Sequence, residues 1–337
     1  NRKHIYMKKT IKLSRASFHG VGNYYWMNYN VNILNKKYNV VIDAINPDIV
    51  IYTNQFYREN ELDYYTNETV RGIHQYDDSV KKVFISGEAR PDFNAHLNKG
   101  DNYYALGYEH IDNERYLRFP TLVLDAFVLH NEGGMFDTPF DWLTEKRDGS
   151  KILESKKHFC SIVQSSNNPD REKLFDLIQE KHFIKSSGPW RRTVPDEETL
   201  NPYQYHNYSN KEYMGRIDGL TYRDKINFFS DTVFNIAYQF TNTDNLTQEK
   251  IIHAYAANTI PLFYGNQYIE EEGFNPKSFI NCHKFESFES LVEFLDELYK
   301  DNDRLKSYFE EPIFVDNKLP IYFNEDYILD FFSKIIK

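Results

Sequence analysis

Residues 234–265 read FNIAYQFTNTDNLTQEKIIHAYAANTIPLFYG and contain a strand–loop–helix–strand pattern. Two short apolar runs, Phe234–Tyr238 and Ile260–Tyr264, have the length and composition of buried strands. Residues 248–258, which lie between them, are predicted to form a helix. A helix placed between two short apolar strands is typical of an α/β layer fold.

Similar short apolar runs alternate with helical segments along the chain, so we predict an α/β fold throughout. The other predicted strands are residues 11–16, 39–43, 48–52, 82–86, 103–106, 159–163 and 279–281. The other predicted helices are residues 24–35, 170–181, 290–299 and 326–336. Two α/β halves in tandem predict two Rossmann-like domains that face a central cleft. We place the N-terminal domain at 1–155, the C-terminal domain at 156–320, and a helix that could cross back at 321–337.

Length, charge and cysteine content narrow the classes of function. A chain of 337 residues is long enough for two cores. Its net charge of −10 excludes a global basic field for nucleic acid, so an anionic substrate needs local positive charge. Two cysteines form no disulfide framework and fit a reducing compartment. We see no signal peptide and no apolar run of about 18 residues, so we expect a cytoplasmic protein without a transmembrane segment. A peripheral membrane contact stays open.

Two cations stand at predicted helix starts, each shortly after a strand. Thr247 is a candidate N-cap, which places Lys250 in the first helical turn. A cation there costs a helix a few tenths of a kcal/mol unless it meets an anion. Arg171 follows Asn168 and Pro169 at the start of another helix. The alternatives are a solvated Lys and a surface Arg paired with an acid. Ligands of open α/β sheets bind beyond the carboxyl ends of strands, which favours phosphate binding by both cations.

A carboxylate in the first half is the candidate general base. Glu88 follows the strand 82–86 and one glycine, where it could face a cleft and remove a proton from a hydroxyl. The alternative is an exposed Glu in a turn. Asp301 and Asp303 have D-x-D spacing, but a solvated helix end explains them better. No H-x-x-x-H pair occurs among the eleven histidines, so no metal site is predicted.

The ordered set of these segments resembles glycosyltransferase family 10, the α-1,3-fucosyltransferases. The quoted stretch is similar to that family's F-x-L-x-F-E-N-S, variable loop, Y-[VI]-T-E-K, helix and [VI]-P-[VI]-x-x-G signature. Shorter stretches that also resemble the family are 84–89 (FISGEA), 115–120 (RYLRFP), 168–176 (NPDREKLFD) and 274–281 (FNPKSFIN). The resemblance covers most of the chain between residues 11 and 309.

The resemblance implies a GT-B fold and an inverting transfer of L-fucose from GDP-fucose to a hydroxyl of an acceptor oligosaccharide. By position, it implies that Glu88 is the general base. It also implies that Arg171 and Lys250 hold the diphosphate and that Glu249 binds the ribose or the sugar. It implies no tightly bound cofactor and no metal held by the protein, although a loosely held Mg²⁺ or Mn²⁺ could assist. The acceptor-binding residues stay unknown.

The chain departs from the family pattern around the expected donor contacts. The family's Glu-Asn pair is Gln239-Phe240 here, and its Tyr is Leu246. A shift of the loop by two residues would let Asn242 supply the missing amide. Gln239, Asn242 and Leu246 are therefore the expected donor contacts that differ. They leave open a transferase for another nucleotide-linked deoxysugar, or an inactive glycan- or nucleotide-binding module of the same fold.

Overall fold

The computed structural model describes residues 8–16, 21–53, 72–86, 92–131, 134–164, 168–188, 190–195, 222–239 and 243–337. Two parallel sheets dominate the described part of the chain. The chain packs as two units: unit 1 contains residues 1–124 and 321–337, and unit 2 contains residues 125–320.

Unit 1 is built on a six-stranded sheet in the order β2-β1-β3-β4-β5-β6. Its strands are β1 (Thr10–Ala16), β2 (Asn39–Ile42), β3 (Ile49–Tyr52), β4 (Lys81–Ile85), β5 (Tyr103–Gly107) and β6 (Tyr116–Arg118). All neighbouring strands pair in parallel. Helices α1 (Val21–Asn35) and α2 (Phe93–Leu97) belong to this unit. Every residue of β3 is buried, as expected for a central strand covered on both faces.

Unit 2 is built on a five-stranded parallel sheet in the order β11-β10-β9-β7-β8. Its strands are β7 (His158–Val163), β8 (Ile184–Ser187), β9 (Thr232–Tyr238), β10 (Ile260–Tyr264) and β11 (Ile280–Asn281). The helices from the boundary onward are α3 (Leu122–Asn131), α4 (Gly149–Glu154), α5 (Pro169–Gln179), α6 (Tyr222–Ser230), α7 (Lys250–Ala256), α8 (Phe288–Tyr299) and α9 (Asn302–Glu310). All seven residues of β9 are buried. Because β9 pairs with both β7 and β10, the residues that follow these three strands meet at one edge.

The last helix, α10 (Glu325–Ile335), packs on α1 within unit 1. Lys36 forms an ion pair with Glu325. Ser333 Oγ accepts hydrogen bonds from Lys37 Nζ at 2.9 Å and from Tyr38 OH at 3.0 Å. The tail of the chain is thus bound to its beginning.

The segment 125–155 belongs to unit 2, whereas the sequence analysis placed the domain boundary after residue 155. Helix α4 packs against α9, and Arg147 Nη2 donates to Glu311 O at 3.0 Å. Both contacts join residues far apart in the sequence, so no local pattern shows them.

His96, on α2, is a half-buried imidazole in unit 1. Its ring stacks on Phe84 with centroids 3.6 Å apart, and its Nδ1 lies 2.9 Å from Tyr52 OH. Burial lowers the pKa of His96 from 6.5 to about 4, and the nearby Lys99 contributes to this shift. The folded protein therefore disfavours the charged form of this ring.

We expect His96 to make unit 1 less stable as the pH falls from about 6.5 to about 4. In this window the unfolded chain binds a proton that the folded chain does not, so the free energy of unfolding decreases with falling pH. His96→Phe keeps the stacked ring and removes the titration. Urea unfolding of both proteins across the window should show a smaller pH dependence for the variant. Parallel pH profiles would contradict the assignment.

Candidate functional site

A polar pocket lies at the carboxyl edge of the unit 2 sheet. Residues of β7, α5, α6, β9 and α7 line it. It brings together three cationic side chains, those of Arg171, Lys225 and Lys250, with Tyr238 and His253. The strand order produces this grouping, because α5 follows β7 and α7 follows β9.

Arg171 is positioned by the start of α5. Asn168 is the N-cap and its Oδ1 accepts from Arg171 N–H at 3.3 Å, while Pro169 occupies the first helical turn. Both residue types favour a helix start at this place. Arg171 is only 4% exposed, and burial lowers the pKa of its guanidinium. A buried guanidinium with forked donors suits a phosphate group.

Lys225, on α6, is held by His253. Its Nζ donates to His253 Nδ1 at 3.2 Å, so this imidazole nitrogen is the acceptor and the ring is neutral. Burial lowers the pKa of His253, and the charge of Lys225 lowers it further. A neutral histidine therefore fixes the ammonium group of Lys225 in the pocket.

Glu249 and Lys250 form an ion pair at the start of α7, with Nζ and Oε1 3.0 Å apart. Burial alone would raise the pKa of Glu249, but the charges of Lys250 and Lys225 outweigh it and hold this pKa well below its usual range. Burial raises the pKa of Asp125, and the charge of Glu249 raises it further. Glu249 is thus the ionised carboxylate and Asp125 favours the protonated form. Burial lowers the pKa of Lys225, whereas the charge of Glu249 raises it. A cluster of basic side chains around Glu249 suits an anionic ligand.

The predicted N-cap at Thr247 is wrong. Helix α7 begins at Lys250, Glu249 occupies the cap position, and no side chain caps the helix. Thr247 is fully buried, and its Oγ1 accepts from Asn266 Nδ2 at 3.3 Å. The positive side chains, rather than a capped helix end, thus form the electrostatic feature of this pocket.

The other predicted donor residues do not line the pocket or lie outside the described residues. Gln239 and Leu246 are 0% and 1% exposed and are absent from the described lining. Glu88 and Asn242 lie outside the described residues. Asp301 caps α9, where its Oδ1 accepts from the Arg304 N–H at 3.1 Å.

Neither Lys225 nor His253 was predicted from the sequence to be a site residue. His253 lies three positions after Lys250, which places both on one face of α7 and is a usable signal. Lys225 had no such signal, because α6 was not predicted. Within the described ranges, no group of three or more His, Cys, Asp or Glu side chains could hold a metal ion. No helix in the same ranges is long and apolar enough to span a membrane.

Comparisons with known proteins match this chain to one family. The family model "Glycosyltransferase family 10 (fucosyltransferase) C-term" matches residues 205–312. Alpha-(1,3)-fucosyltransferase FucT of Helicobacter pylori is 27% identical over 272 residues, which are 77% of this chain and 53% of FucT. Putative fucosyltransferase R654 of Acanthamoeba polyphaga mimivirus is 23% identical over 179 residues, 53% of this chain and 26% of R654. The chain thus spans about half or less of the length of these relatives.

Solved structures show the same fold. A crystal structure of an alpha1,3-fucosyltransferase with GDP-fucose has a TM-score of 0.68 and 23% identity, covering 100% of this chain and 93% of that chain. One with GDP has a TM-score of 0.65 and 22% identity over the same shares. The likeness confirms the predicted GT-B fold. Residues 205–312 thus match glycosyltransferase family 10, and the chain is similar in sequence to FucT and in fold to the solved fucosyltransferases.

Proposed function

We propose that this chain is an inverting glycosyltransferase that binds GDP-fucose through unit 2 and transfers L-fucose to a hydroxyl of an acceptor glycan. The observation that carries the proposal is the pocket in which Arg171 and Lys250 meet Lys225. The names of the relatives FucT and R654 support the same donor class.

The leaving group of this reaction is a nucleoside diphosphate, on which negative charge grows as the sugar departs. Arg171 can bind two phosphate oxygens with its fork, and Lys225 and Lys250 add point charges. Preorganised donors of this kind stabilise a transition state by about 3 kcal/mol each. Glu249, which is ionised, is suited to accept hydrogen bonds from ribose or fucose hydroxyls. A loosely held Mg²⁺ or Mn²⁺ would add to this charge without ligands from the protein.

The second requirement is a base for the acceptor hydroxyl, and Glu88 stays the predicted one. As this base removes the proton, the acceptor oxygen attacks the anomeric carbon from the face opposite the diphosphate, which inverts its configuration. The proton passes to the carboxylate, and GDP leaves with the bonding electrons. A positioned base contributes roughly 10²–10⁴-fold to such a step.

Donor binding is tested by calorimetric titration with GDP, GDP-fucose and GDP-mannose. We expect GDP and GDP-fucose to bind and GDP-mannose to bind more weakly. GDP-fucose should also yield a fucosylated product with a suitable acceptor. Preference for another nucleotide sugar would favour the alternative donor. Binding with no transfer to any acceptor would favour a glycan- or nucleotide-binding module.

Lys225→Met should weaken GDP binding by about tenfold or more, because it removes one charge-assisted contact to the diphosphate. GDP binding by this variant should also depend less on salt concentration, since fewer protein charges pair with the diphosphate. Lys173→Met is the matched control. Lys173 lies on α5 and is exposed, and its Nζ pairs with Glu289 at 2.9 Å. Such surface pairs contribute little, so GDP binding should stay unchanged. Equal effects of both variants would contradict the assigned role of Lys225.

Glu88→Gln should lower the rate of transfer by roughly 10²–10⁴-fold while GDP affinity is retained, because the amide cannot take a proton. The measurement is single-turnover transfer alongside a GDP titration of the same variant. Near-normal transfer would show that another group is the base.

A further inference from the structure

Two buried amide side chains hold the segment Asn245–Gln248, which leads directly into Glu249 and Lys250. The first is Gln239, at the carboxyl end of β9, which is 0% exposed. Its hydrogen-bond partners set the orientation of its amide. Oε1 accepts from Gln248 N–H at 2.7 Å, and Nε2 donates to Leu246 O at 3.0 Å.

The second amide is Asn266, two residues after β10, which is also 0% exposed. Its Oδ1 accepts from the backbone N–H groups of Asn245 and Tyr268, both at 3.1 Å. Its Nδ2 donates to Thr247 Oγ1 at 3.3 Å. Asn245 has a φ of 63°, in the left-handed region, so these bonds also hold a costly backbone conformation.

The two amides are adjacent because β9 and β10 are paired neighbours. The Gln239 N–H donates to Tyr264 O at 2.7 Å. Gly265 leaves the space for the Gln239 side chain, since a Cβ there would lie 2.4 Å from the end of its amide. Gln239 therefore bonds the end of the segment, at Gln248, and Asn266 bonds its beginning, at Asn245.

The segment needs these partners because it lies outside helices and strands. Buried backbone N–H and C=O groups that lack a ladder must find other partners. Three of them, at Asn245, Leu246 and Gln248, bond to the two amides. The position of Glu249 and Lys250, the next residues along the chain, depends on this bonding.

We propose that Gln239 and Asn266 form a clamp of positioning residues that fixes Glu249 and Lys250 for the donor. This inference rests on the proposed function. It gives Gln239 the role of supporting the segment in place of the donor contact predicted from the sequence. It also explains one departure from the family pattern. An ionised Glu at 239 would set an oxygen against Leu246 O, whereas the Gln amide donates to it.

The first test is Gln239→Glu. Near pH 8 its carboxylate should repel the Leu246 carbonyl, and GDP affinity should fall by about tenfold relative to the wild type at the same pH. Near pH 5.5 a buried Glu gains a proton. The protonated carboxyl can again donate a hydrogen bond to Leu246 O, which should restore most of the GDP affinity. A loss that is the same at both pH values would overturn the proposed use of the Gln239 amide.

The second test compares Asn266→Ala and Asn266→Asp with the control Asn275→Ala. Asn275 is a buried amide of the same unit, and its Nδ2 donates to Glu311 and to Pro312 O, both at 2.9 Å. We expect Asn266→Ala to raise the donor KM by about tenfold, because three hydrogen bonds are lost. Asn266→Asp keeps an acceptor for both N–H groups and should recover part of the affinity. The control should lower the thermal midpoint without changing KM. Equal changes in KM for both alanine variants would overturn the clamp.

Backbone hydrogen exchange separates this inference from the proposed function, because the exchange measurement is made without any GDP-sugar. In the wild type, the amides of Asn245 and Gln248 should exchange slowly. Asn266→Ala should speed exchange at the Asn245 amide, and Gln239→Ala should speed exchange at the Gln248 amide. The amides in the core of β9 should stay protected in both variants. Fast exchange in the wild type would overturn the clamp even if GDP binds. Slow exchange in a protein that does not bind GDP would support the clamp as a structural element and refute the proposed function.

Discussion

The pairing of three parallel strands is the constraint on which the rest of unit 2 depends. The central strand β9 bonds to β7 on one side and to β10 on the other, and all three run in the same direction. Parallel pairing delivers every following turn to one edge of the sheet. Arg171 and Lys250, which lie far apart in the sequence, therefore line the same pocket. The clamp at Gln239 and Asn266 depends on the same pairing.

Electrostatics explains why this edge suits an anionic ligand. Cations buried together repel one another and lose water, which costs stability unless an opposite charge compensates. Glu249 compensates part of this charge, and Asp125 compensates less because burial and Glu249 raise its pKa. The cluster of basic side chains at this edge suits a diphosphate. Local rules that are broken within a protein tend to mark functional sites, and the cation-rich pocket follows that tendency.

The sequence predicted the fold well where elements are long and strongly patterned. Strands β3, β4, β7, β9 and β10 appear within a residue or two of the predicted positions. The sequence missed β8, because three of its four residues are polar, and β6, because it has only three residues. Helix α6 was missed as well. Its residue Lys225 could therefore not be placed beside Arg171 before the tertiary structure was known.

The sequence by itself determined the alternation of strands and helices, the family resemblance and the choice of Arg171 and Lys250, because these depend on local patterns. Only the tertiary structure decided that Lys225 and His253 join them, since their contact links α6 to α7. It also decided that the side chain of Gln239 bonds the segment before Glu249 rather than lining the pocket. Side-chain direction at a strand end depends on which backbone groups the neighbouring loop leaves unpaired, and this follows from packing between distant segments.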